Sequence, residues 1–140
     1  MLETGLIEGV AASARAEDLR ALRARVAAME REAGEGRPGP RTGPFHPALY
    51  RSFGNLLLSE ILDAFWAAMD QVRDDVGDAQ QDPAVTLAHH REIVGAIAAA
   101  DGPRAASAMR AHFSGIRDRM APGSVSRRPR RQPDRSALLN

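Results

Sequence analysis

The chain has 140 residues, a formal net charge of +1, 44% apolar and only 4% aromatic residues, and no cysteine. That length suits one compact domain whose core is built from Leu, Ile, Val, Met and Ala, a composition that favours helices. It excludes disulfides and thiolate metal sites. No apolar run approaches the roughly 20 residues that span a bilayer. The early acidic residues Glu3 and Glu8, with no basic n-region, argue against a secretory signal and for a cytoplasmic protein.

In chain order, Leu2, Leu6, Ile7, Val10 and Ala14 give one apolar stripe and predict a helix over about 2–13. Leu19, Leu22, Val26 and Met29 give a second, over about 17–32, with Glu17 and Asp18 at its start but no good N-cap before them. The stretch Gly34 to Pro44 is seven-elevenths Gly and Pro, and no helix should cross it. A third helix is expected from near Pro44 to near Phe53, with His46, Leu49, Tyr50 and Phe53 inward. Gly54 ends it, and Asn55 is a good N-cap for a fourth helix running to about Val76. Its inner face is expected to hold Leu58, Ile61, Leu62, Phe65, Met69 and Val72.

After a loop at 77–82, Asp82-Pro83 opens a helix hairpin that runs to Met120. Asp101-Gly102-Pro103 is its turn, with glycine expected to take the unusual backbone angle. His90 lies eleven residues before Asp101 and His112 eleven after, so folding back brings them level, each roughly 16 Å from the turn. His90 shares a stripe with Ile93, Val94 and Ile97; His112 shares one with Met109, Ile116 and Met120. Residues 121–140 mix Pro, Ser and five Arg without periodicity and read as a disordered basic tail, leaving residues 1–120 mildly acidic. The expectation is an all-α, antiparallel bundle of about six helices.

Three histidines, His46, His90 and His112, thus fall on the inner stripes of three helices. Three imidazoles converging in a core form a candidate metal site with one or more open positions. Zinc is the leading expectation, and nickel, manganese and iron are also compatible. Set against this is the plainer reading that each is a hydrogen-bonded core residue. His89, rotated by about 100° from His90, is expected at the surface or behind a ligand.

The motifs resemble a known family. His90-Arg91-Glu92-Ile93-Val94-Gly95-Ala96-Ile97, then Asp101, then Ala106, Met109 and His112, look like the closing helices of the FadR-type C-terminal (FCD) domain of GntR-superfamily transcription regulators. Phe45, His46, Leu49, Gly54, Asn55 and Leu58 resemble the same family's upstream motif. The resemblance covers about Leu2 to Met120. It implies a helical bundle holding a metal through one Asp and three His, here His46, His90 and His112. It also implies a small carboxylate effector beside that metal, and for that effector Tyr50, Asn55 and Thr42 are the candidate contacts. A homodimer is implied as well. DNA contact is implied only through a winged helix-turn-helix, which needs roughly 60–70 residues and a basic face and does not precede the first helix in this sequence.

Two positions depart from the family pattern. Thr42 stands where the metal Asp is expected, and Thr4 stands where an effector-holding Arg often lies. A degenerate dimerisation module without ligand is therefore one alternative. The other is a three-histidine metal hydrolase, for which Glu92, two residues from His90, is poorly placed as a general base.

Overall fold

The computed structural model describes residues 2–35, 45–76 and 83–120. The expectations for Thr42, for most of the Gly/Pro stretch, for the loop at 77–82 and for the basic tail lie outside the described residues. So do those for the side chains of Leu2, Val72, Ile116 and Met120. Six α-helices make up the described fold: α1 (Leu2–Ser13), α2 (Ala16–Gly34), α3 (Phe45–Leu49), α4 (Leu56–Val76), α5 (Pro83–Ala98) and α6 (Gly102–Met120). There is no strand among the described residues. The all-α bundle is as the periodicity implied.

The α5–α6 hairpin is the spine. α1 lies mainly along α6, α2 along α5, and α3 bridges α2 and α4. The core runs through Ile7 and Val10 of α1, Leu22 and Val26 of α2, Phe45 and Leu49 of α3, and Ile93, Ile97 and Met109 of the hairpin. On the outside, Arg104 forks onto both carboxylate oxygens of Glu92 at 2.7 and 3.0 Å, linking α6 to α5. Arg91 reaches Glu30 on α2 at 2.8 Å. Both pairs are solvent-exposed and screened by water, so they tie the helices together only weakly.

Local chemistry sets the helix ends. Asp18 accepts from the Arg15 backbone N–H at 2.9 Å, a reverse cap at the start of α2 that the missing Ser or Thr had hidden. Asn55 caps α4 as expected, its Oδ1 accepting from the Leu58 N–H at 3.1 Å. The third helix is shorter than expected: α3 stops at Leu49 and a 3₁₀ turn, Arg51–Phe53, carries the chain to Gly54 at φ +60°.

The hairpin turn corrects a second expectation. Gly102 is not the left-handed residue; Ala100 is, at φ 53°. The Ala100 N–H bonds Ile97 O and the Asp101 N–H bonds Ala96 O, both at 2.9 Å, the double-bonded helix ending whose energy outweighs the Cβ penalty of one alanine. Asp101 then caps α6 through the Arg104 N–H at 3.0 Å. Gly102 opens α6 close to α1. A Cβ there would come within 3.4 Å of the Glu8 side chain on α1.

The inner face of α4 is also corrected. Leu62 and Trp66 are buried, whereas Ile61 and Phe65 are 49% and 43% exposed. Leu58 and Met69 pack at the core's edge. The helix is turned from the expected orientation because Trp66, omitted from the expected stripe, takes the inward position.

Candidate metal centre

The hairpin brings its two histidines level. The His90 and His112 ring centroids are 4.7 Å apart. α3 adds His46, stacked on His112 at 5.1 Å with its Nε2 3.2 Å from His112 Nε2. All three side chains are buried, and one ring nitrogen from each lies within 4.8 Å of the others. Two imidazole nitrogens on a tetrahedral ion at 2.0–2.1 Å would be about 3.3 Å apart, so the His46–His112 edge already has that spacing.

His90 is the most telling member. It is 0% exposed, and neither ring nitrogen has a hydrogen-bond partner. Buried polar groups are normally paired, and each unpaired one costs about 1–3 kcal/mol. Phe45 faces the ring at 4.3 Å between centroids and offers no acceptor. Burial, followed by the charges that His46 and His89 would carry, pushes the His90 pKa down to about 3. His90 is therefore a neutral imidazole with a free lone pair at any physiological pH, the form that binds metals. The residues present fit a divalent ion held by three nitrogen donors, with remaining positions open to water or to an anionic oxygen.

A fourth buried polar residue was not anticipated. Glu3, in the first turn of α1, is 3% exposed. Its Oε2 accepts from His46 Nδ1–H at 2.7 Å, and its Oε1 accepts from Trp66 Nε1–H at 2.8 Å. The Tyr50 hydroxyl lies 3.1 Å from the Glu3 backbone carbonyl, to which it donates, and 3.4 Å from Oε2. Burial first, and then the neighbouring Glu3 charge, raises the Tyr50 phenol far above its usual range. Trp66 also stacks on His46, centroids 3.8 Å apart and planes within 15°. The signal for Glu3 was in the sequence. It sits four residues before Ile7 and seven before Val10, on the same helical stripe, where a carboxylate has no business without a partner.

The remaining expected site residues separate. Tyr50 is buried, but its hydroxyl is used by Glu3. Asn55 is exposed and its oxygen caps α4, so it does not join the histidines. His89 is half-buried, its ring 6.0 Å from His112, and is not one of the three that converge. Glu92 is exposed and paired with Arg104, pointing away from the site.

The comparisons with known proteins agree with this architecture. The model of the FCD domain family matches residues 1–115. A protein of Micromonospora viridifaciens named as a transcriptional regulatory protein, NedR, is 32% identical over 90 residues, a match covering 64% of this chain and 65% of that protein. No solved structure matches significantly. A six-helix bundle matched over most of its length by one family model has a clear assignment: the chain belongs to the FCD domain family, the ligand-sensing domain type of GntR-class transcriptional regulators.

Proposed function

We propose that this domain senses a small organic acid through a divalent metal held by His46, His90 and His112. The observation that carries the reading is His90, buried with two unpaired ring nitrogens beside two further imidazoles. A bound ion would supply a Lewis-acidic point at which carboxylate oxygens of an effector are held. Around it the chain supplies apolar walls, Phe45 and Phe113, that exclude water and strengthen each polar contact. An all-nitrogen set favours zinc or nickel, with iron also suited to imidazole, over manganese, which prefers oxygen ligands.

In this reading the protein is a cytoplasmic, non-enzymatic regulator. No helix among the described residues is long and apolar enough to cross a membrane. DNA would be contacted by a winged helix-turn-helix acting with this domain. The domain would act as a homodimer, and Leu57, Ile61 and Phe65 recur every four residues as an exposed apolar line on α4 that suits such pairing. Thr4 and Thr42, at the positions of the family's Arg and Asp, favour a second reading, a dimerisation module that has lost its ligand.

Metal analysis of protein purified without a His tag separates the two. The sensor reading expects near-stoichiometric divalent metal, or a thermal shift on adding zinc or nickel, abolished by His90→Ala. No bound metal and no shift would leave the dimerisation module.

A further inference from the structure

An ionised carboxylate taken out of water costs several kcal/mol unless its oxygens are well bonded. Leucine at position 3 would simply extend the Ile7–Val10 stripe. The chain instead buries Glu3 and surrounds it with donors from two other helices, His46 of α3 and Trp66 of α4, and with the Tyr50 hydroxyl just beyond α3. α1 is also held independently of these contacts along α6, with Ile7, Val10 and Ala11 in the apolar core.

The nitrogens of an imidazole lie on opposite flanks of the ring. With Nδ1–H donated to Glu3, the His46 lone pair is on Nε2, the atom that lies 3.2 Å from His112 Nε2. His46 needs such help more than its partners do. His90 and His112 stand on helices of 16 and 19 residues packed on each other, whereas α3 has five residues and cannot by itself fix a ring. Trp66 holds the ring's face while its own N–H bonds the other oxygen of the same carboxylate.

We propose that Glu3 is the positioning residue of the metal centre. It is an outer-sphere carboxylate that fixes His46 in the Nδ1–H form, aims Nε2 at the ion, and lends one negative charge to a donor set otherwise neutral. This rests on the three-histidine metal reading. Outer-sphere partners of metal-bound histidines act in this way, and losing one typically weakens binding 10- to 100-fold.

The test titrates metal-free, untagged protein with cobalt(II), read by its visible absorption, and with zinc by competition. Glu3→Gln is expected to weaken both 10- to 100-fold and to alter the cobalt spectrum, with Glu3→Asp falling between it and the wild type. Nitrogen NMR of metal-free wild type should show His46 protonated at Nδ1, and Glu3→Gln should shift that tautomer, a readout that a merely structural role would not move. Wild type that binds neither ion overturns the metal reading and this proposal together. Wild type that binds, with Glu3→Gln within threefold of it, overturns this proposal alone. Should Glu3→Gln not fold, Glu3→Asp binding as tightly as wild type, or wild-type His46 protonated at Nε2, overturns it as well.

Discussion

Replacing His90 by leucine should stabilise the metal-free protein. A neutral imidazole carries one donor and one acceptor, and both His90 nitrogens are buried without a partner. At about 1–3 kcal/mol for each unpaired group, the wild type gives up roughly 2–6 kcal/mol there. Leucine has a similar volume and no polar atom. It loses the ring contacts with Phe45 and His112, worth about 1 kcal/mol each. The net gain is about 0–4 kcal/mol, and its midpoint of about 2 kcal/mol is roughly 7 °C in melting temperature for a domain of this size. Thermal unfolding followed by circular dichroism at pH 7.5 in excess chelator measures it. With zinc at about a thousand times its Kd, the wild type alone should gain about 4 kcal/mol, and the order of the two curves should reverse. A variant that melts below the wild type in chelator would refute the reasoning, because the His90 nitrogens would then be satisfied groups and not ligands held in waiting.

Acidification should act through the same residue. His90 has a folded pKa of about 3 against an ordinary 6.5, so below pH 6.5 the unfolded chain takes up a proton that the folded one refuses. Stability therefore rises with pH between about 3 and 6.5, and metal-free wild type should lose about 2 kcal/mol from pH 7.5 to 5.0. Urea unfolding at the two pH values measures the loss, and His90→Leu should show a visibly smaller one; equal losses would exclude His90 as the cause. Ile61→Glu should convert a dimer to a monomer in light scattering without changing metal affinity, since Ile61 is half-exposed on α4 and outside the histidine cluster. His89→Ala should leave zinc affinity within about twofold.

Much of the fold could be read from periodicity because five of the helices are long and carry clear apolar stripes. The level placement of His90 and His112 followed from counting residues about one turn, and it survived even though the turn itself was assigned to the wrong residue. Ala100 takes the left-handed angle for a reason that composition cannot show, a pair of backbone bonds back to Ala96 and Ile97. The misreading of α4 has a similar origin. Ile61 and Phe65 are as hydrophobic as Leu62 and Trp66, so hydropathy alone cannot say which pair turns inward. The indole N–H decides it, because its acceptor, Glu3, is inside. Glu3 was legible only as an oddity in a stripe. Its meaning needed contacts 43 and 63 residues away in the chain.

The chain has a single tryptophan, and it lies face to face with His46. All of the protein's indole emission therefore originates within van der Waals reach of the candidate metal centre. Paramagnetic nickel or cobalt at the histidines should quench that emission, and zinc, which has no such pathway, should mostly shift it. The protein carries its own optical probe, one that can follow ion uptake and effector arrival in real time with no label added.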